Sequence, residues 1–390
     1  MNIEKLREDF PVMQKNIIYF DSACMSLRPR QVIDKICEYY NNFSSCSGRS
    51  SHKLSKAVDE EIDKVRRLVS KFISADSTDE IIFTKNTTEG INLISNSLDW
   101  KTALISSREH NSNLLQWISK GRKVFVVDET KDFEFDLEDF KRKIKCVDIV
   151  SVVYKSNVDG YILPVKEIIK IAHDNNALVL LDSAQAVPHF SINVKKLGVD
   201  FMAFSSHKML GPCGLGILYV KREHLSKLKS FILGGGTVYD STYNSFKFEE
   251  GHKKFEAGLQ NYSGIFGLGA AIEYLNKVGM NTIEKYTNEL GRYLFNRLSE
   301  LGVEFVGVKD YNKCGGIVNF NIEKSNSHEV ALMLDSGYNI SVRSGAHCVH
   351  SWYNKNGIEG SVRASLYFYN TRAEVDKFVD AVAKIKKMLK

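Results

Sequence analysis

Lys208 stands in a short polar turn, Ser205-Ser206-His207-Lys208, directly after the apolar run Phe201-Met202-Ala203-Phe204. Upstream, the apolar run Ala177-Leu178-Val179-Leu180-Leu181 ends in Asp182. A lysine so placed can form an imine, and a buried carboxylate can hold a ring nitrogen protonated. Together they meet the needs of pyridoxal phosphate. Taken singly, each has a plainer reading, a surface lysine and a helix-capping aspartate. Far along the chain, Cys348 follows His347 in the glycine-containing loop Arg343-Ser344-Gly345-Ala346-His347-Cys348. Free thiols titrate near ~8.5, so an adjacent arginine and histidine favour a reactive thiolate. The plain alternative is an inert cysteine. Arg363, flanked by alanine and valine in the apolar stretch Ser361–Leu366, suits bidentate binding of a carboxylate.

Other polar residues recur just past apolar runs. Ile81–Thr84 leads into Asn86-Thr87-Thr88-Glu89-Gly90, whose hydroxyls and following helix suit an anion. His110 follows Ala103–Ser106, and Asn157 follows Ile149–Tyr154. These runs alternate with helical periodicity, which predicts an α/β fold with a mostly parallel sheet covered by helices on both faces. In such sheets ligands gather at the carboxyl ends of the strands. Past Val220 the pattern changes. Gly234-Gly235-Gly236 lacks a dinucleotide fingerprint. Helices over 265–278 and 283–301 then precede an α+β part of about a hundred residues.

The 390 residues suffice for two domains. A 43% hydrophobic and 26% charged composition is ordinary for a soluble chain. The net charge of +6 gives no sign of a nucleic-acid groove, and no apolar run is long enough for a bilayer. The segment from Met1 to Phe10 is charged rather than signal-like, and the seven cysteines have no CxxC spacing. A cytoplasmic protein with free thiols and no metal site is expected.

The combined motifs resemble the fold-type I pyridoxal phosphate enzymes of the class V aminotransferase group, and within it the Suf-type cysteine desulfurases and selenocysteine lyases. The resemblance runs through Asp21-Ser22-Ala23, Thr87-Thr88-Glu89-Gly90, Glu109-His110, Ser156-Asn157-Val158, Asp182, Gln185, Ser205, His207-Lys208, Glu256-Ala257-Gly258, Arg343, His347-Cys348 and Arg363-Ala364-Ser365. It implies a seven-stranded, mostly parallel sheet in a cofactor-binding large domain, residues 15–265, and a small domain of residues 1–14 and 266–390. It also implies roles. Lys208 carries the cofactor as an imine and moves the α-proton. Asp182 faces the ring nitrogen, Gln185 the phenolic oxygen, and His110 stacks on the ring. Thr87, Thr88, Ser205 and His207 hold the phosphate. Asn157 and Arg363, with Arg343, take the substrate carboxylate. Cys348 accepts sulfur from L-cysteine as a persulfide, leaving alanine. A sulfur-acceptor protein, for iron–sulfur cluster or thio-cofactor synthesis, and a homodimer are implied as partners. Selenocysteine lyase, another β-elimination and transamination remain alternatives on the same scaffold, as does a non-catalytic scaffold protein.

Four departures stand out. Leu259-Gln260 replaces the threonine that in relatives reaches the partner's phosphate, Ser206 replaces a glycine, and Ala346 replaces a histidine. The loop around Cys46 and Arg49 departs from the family's Arg-Gly-x-His while keeping His52. Cys46 is expected near the pocket mouth, as a sulfur relay or a spectator.

Overall fold

The computed structural model describes residues 2–389. After the short strand β1 (Ile18–Tyr19), seven strands form the main sheet: β2 (Ile81–Thr84), β3 (Thr102–Ser106), β4 (Lys123–Val127), β5 (Ile149–Val153), β6 (Leu178–Asp182), β7 (Phe201–Ser205) and β8 (Gly216–Val220). Their spatial order is β2-β8-β7-β6-β5-β3-β4. Only β8 runs against the rest, pairing antiparallel with β2 and β7. The expected mostly parallel, seven-stranded sheet is therefore present.

Alternate side chains of these strands enter two separate cores, as the two-residue period of a strand demands. Ile82, Ile105, Leu180, Ala203 and Leu218 face one way, with Trp100 and Trp117. Phe83, Leu104, Val179, Leu181, Phe204 and Ile217 face the other. Both faces are apolar because both are covered, which explains why the strands read as continuous hydrophobic runs. The edge strand β4 alone is partly exposed.

A hairpin of β9 (Val238–Ser241) and β10 (Phe246–Phe248) follows. The C-terminal part holds β11 (Glu304–Phe305), β12 (Ile317–Asn321), β13 (Ile340–Ser341), β14 (Arg343–Gly345) and β15 (Ser361–Ser365). Four of these make an antiparallel sheet ordered β11-β12-β15-β14, while β13 pairs in parallel with β1. The expected loop at 343–345 is a strand instead: its arginine, serine and glycine carry no strand signature, and pairing with β15 alone makes it one. The helix Tyr262–Val278 crosses position 265 and packs on helices Arg30–Glu38 and Lys53–Ile73. At the other end of the chain, Phe10 packs on Phe368 and Tyr369, and Arg7 pairs with Glu374 at 2.8 Å.

No helix among the described residues is long and apolar enough to cross a membrane.

Candidate active site

The carboxyl ends of β2, β3, β5, β6 and β7 open onto one cavity of about 230 Å³. Thr87, Thr88, His110, Asn157, Asp182, Gln185, Ser205, His207, Lys208, Arg343 and Arg363 all line it. Cys348 does not line it. Its sulfur lies 3.1 Å from Arg343 Nη2, which does.

Asp182 ends β6, and Lys208 ends the 3-10 turn Ser206–Lys208 that follows β7. Ala184 N donates to Asp182 Oδ1 at 3.0 Å, and among the described residues no donor engages Oδ2. Burial raises the Asp182 carboxyl above the usual range, against the Ala184 amide and the Lys208 charge. Burial also lowers the Lys208 amine below an ordinary lysine, against the pull of Asp182. The lysine turn is strapped down by Ser26: Ser26 N donates to His207 O at 3.0 Å, and Leu210 N donates to Ser26 Oγ at 2.8 Å. Leu210 takes a positive φ of 68° in that turn.

The helix Thr87–Ser97 begins at Thr87 itself, earlier than its apolar pattern indicates, with Asn86 Oδ1 accepting from Glu89 N at 3.0 Å. Thr87 N donates to Ser205 Oγ at 2.8 Å, and the two hydroxyls lie 2.6 Å apart. Thr88 and Ser112 hydroxyls are 2.7 Å apart. A helix start and paired hydroxyls facing a cavity suit a phosphate. Gly216 permits the approach, since a Cβ there would lie 2.5 Å from Asn86 Cα. The serine at 206 is accommodated by another glycine. A Cβ at Gly211 would run into Ser206 Oγ, which is buried without a partner.

His110 caps helix Asn111–Ile118, its Nδ1 accepting from Ser112 N at 3.1 Å. That bond places the proton of the neutral ring on Nε2. Burial, with the charges of Lys208, Arg343 and Arg363, pushes its pKa down to about 3. Glu109 locks the same corner: Asn113 Nδ2 donates to it at 2.6 Å and Val153 N at 3.0 Å. Burial outweighs these donors and raises Glu109 to about 8. Gln185 Nε2 donates to Ala23 O at 2.6 Å, so one of its amide hydrogens is already committed.

Arg363 is fully buried. Its Nη2 reaches Asp21 Oδ1 at 3.1 Å, its Nη1 donates to Asn157 O at 2.9 Å, and its Nε has no partner. Asn157 Nδ2 in turn donates to His347 O at 2.9 Å. The cysteine loop is held from the other side by Asn111 N, which donates to Cys348 O at 2.8 Å. His347 and Cys348 both take positive φ, 50° and 61°. Beyond the loop, Trp352 donates to Glu129, which also receives Arg108, and Arg108 Nη1 donates to Asp159 at 2.7 Å. This buried cluster joins the ends of β3 and β5 to the helix behind Cys348.

Lys155, Lys208, Arg343 and Arg363 line the cavity against the single carboxylate Asp182. Such a wall selects anions, and the unengaged Asp182 Oδ2 and unpartnered Arg363 Nε fit a phosphate-bearing pyridine beside a separate carboxylate.

This architecture and cavity agree with the comparisons. The pattern of the family described as Aminotransferase class-V matches residues 18–378. The chain belongs to that family. It is 38% identical to a probable cysteine desulfurase of Halalkalibacterium halodurans, over 99% of this chain and 98% of the relative. A cysteine desulfurase from Thermococcus onnurineus, solved without ligand, superposes with a TM-score of 0.94 at 36% identity, covering 99% of this chain and 98% of that one. An S-sulfonic acid form of an Escherichia coli cysteine desulfurase superposes with a TM-score of 0.92 at 27% identity, covering 100% and 99%.

Two cavity residues escaped the sequence reading. Lys155 is a buried lysine two residues beyond the apolar strand β5, and burial pushes its amine down to about 7. A lysine so close to a run of buried apolar residues was the available signal. Cys24 also lines the cavity, and its place directly after the Asp21-Ser22-Ala23 motif was the available signal. Cys46, by contrast, packs against the apolar core and does not line the cavity.

Proposed function

We infer that this chain is a pyridoxal phosphate-dependent cysteine desulfurase, converting L-cysteine to L-alanine with its sulfur captured on Cys348. The observation that carries the reading is the meeting of Lys208 and Asp182 in one cationic cavity whose Arg343 touches the Cys348 sulfur. Full-length relatedness to cysteine desulfurases supports it.

Bound pyridoxal phosphate would supply an electron sink to the substrate α-carbon. The start of the Thr87 helix, with Thr88, Ser205 and His207, would hold its phosphate. Asp182 would face its ring nitrogen, Gln185 its phenolic oxygen through the second amide hydrogen, and His110 its ring face. Arg363, with Asn157 and Arg343, would clamp the substrate carboxylate. Lys208 Nζ, kept from strong protonation by burial, would take and return the α-proton. Cys348 Sγ would attack the substrate sulfur. The C–S bond breaks, alanine leaves, and the sulfur stays on Cys348. A thiolate is the polarisable nucleophile such a cleavage needs.

The division into residues 15–265, and 1–14 with 266–390, belongs to the same proposal. The Phe10 and Arg7 contacts support placing the first residues with the C-terminal part. The packing of helix Tyr262–Val278 on helices Arg30–Glu38 and Lys53–Ile73 supports a join nearer Gly279 than 265. A homodimer is proposed because Phe231, Ile232 and Leu259 line one groove, with Leu233 and Tyr243 also exposed. Leu259 then offers apolar area where relatives carry a threonine. A cytoplasmic location and a protein sulfur acceptor are proposed with it.

The test is direct. The loaded protein is incubated with L-cysteine and a reductant, and alanine and sulfide are quantified. Alanine should form with the wild type and be lost with Cys348→Ser, which should still turn over selenocysteine. Undiminished alanine from Cys348→Ser would overturn the role of Cys348.

A further inference from the structure

The cavity holds a second thiol that this reading leaves unused. Cys24 is partly exposed and lines the same wall as Lys208 and Arg343. The Ala23–Cys24 backbone is held by three hydrogen bonds. Cys24 N donates to Asp21 O at 3.1 Å, Ala23 N to Ser365 Oγ at 3.0 Å, and Gln185 Nε2 to Ala23 O at 2.6 Å. Arg343 shares the cavity wall with Cys24 and lies 3.1 Å from the Cys348 sulfur. Arg343 is thus the wall residue that links the cavity holding Cys24 to the Cys348 sulfur. Lys208, Arg343 and Arg363 line the same cavity as Cys24, so a sulfur held there lies within a cationic enclosure. No other cysteine lines the cavity among the described residues.

We propose that Cys24 is a second sulfur-carrying residue, receiving the outer sulfur of the Cys348 persulfide. It rests on the desulfurase reading above. The Cys24 thiolate attacks the outer sulfur of Cys348–S–SH. The bond from Cys348 Sγ to that sulfur breaks, a bond from Cys24 Sγ forms, and Cys348 leaves as a thiolate. The proton given up by Cys24 returns to Cys348. The exchange is a transfer between equivalent oxidation states and needs no oxidant or reductant. Its effect is to empty Cys348 for another turnover while the sulfur waits inside a cationic enclosure.

The experiment loads the holoenzyme with L-cysteine, omits acceptor and reductant, blocks free thiols, and locates added sulfur by mass spectrometry. Alanine is measured in the same samples. The wild type should carry an added sulfur on both Cys348 and Cys24. Cys24→Ser should lower bound sulfane sulfur by about half, with Cys348 still loaded. Cys348→Ser should load neither site. Wild type with Cys348 loaded and Cys24 bare would overturn the proposal, as would a Cys24–Cys348 disulfide with sulfide released, or Cys24 loaded in Cys348→Ser. Absence of alanine would instead overturn the desulfurase reading, and the proposal with it.

Discussion

Arg343 and Arg363 are directly paired across the β14–β15 ladder, two guanidinium side chains in register. Like charges so placed repel. Asp21 hydrogen-bonds Arg363 and not Arg343, which turns to the Cys348 sulfur. The pair therefore stores an electrostatic demand that the proposed substrate carboxylate would meet. Arg363→Lys keeps the charge and loses the planar fork. It should raise KM for L-cysteine by roughly 10- to 100-fold, the loss of one strong charge-assisted bond. An unchanged KM in steady-state kinetics would remove Arg363 from substrate binding.

The partnerless Ser206 hydroxyl beside Gly211 sets a second expectation. A buried unpaired hydroxyl is a cost, so Ser206→Ala should leave the protein equally stable or stabilise it by about 1 kcal/mol. Gly211→Ala should destabilise it, because the new methyl meets the serine side chain. Denaturant unfolding of both variants tests this, and a destabilised Ser206→Ala would reveal a hidden partner.

Lys155 gives a pH-dependent expectation. Burial lowers its folded pKa from 10.5 to about 7. The folded state therefore binds this proton less readily than the unfolded chain, and the cost of charging it grows as pH falls from 10.5 toward 7, then levels off. Lys155→Met should stabilise the protein, and by more at about pH 7 than at about pH 9. Equal gains in Tm at both values would place the amine in solvent.

His110, pushed down to about 3, should stay neutral throughout the working range. Nitrogen-resolved NMR should show one neutral tautomer, protonated at Nε2, down to about pH 5. A titration near the usual histidine value would show that the ring is more open than its contacts indicate.

The sheet was legible because parallel strands buried on both faces read as unbroken apolar runs, and each hands a polar residue to the site at its end. The start of the Thr87 helix was less legible. Asn86, Thr87 and Thr88 are polar, so the apolar periodicity begins a turn late. Arg343–Gly345 could not be read as a strand, since only β15 makes it one. The cavity position of Cys24, though it adjoins the Asp21-Ser22-Ala23 motif, was hard to read for a related reason. Its turn reaches the cavity through Gln185 and Ser365, both far along the chain, and no local pattern encodes that meeting. Cys46 was misplaced near the pocket mouth by its serine-rich loop, although Cys46 itself packs toward the core.

The Asp21–Arg363 pair joins positions 342 residues apart, and Arg7 reaches Tyr369 across 362. During synthesis the main sheet can form while Asp21 still waits for its arginine. The Asp21–Arg363 pair can close only after β15 has been synthesised. Contacts of such long range are slow to form. A chain cut short before β15 would retain Lys208 and Asp182 yet lack Arg363, so the wall proposed to bind substrate would be completed later than the strand ends that would hold the cofactor.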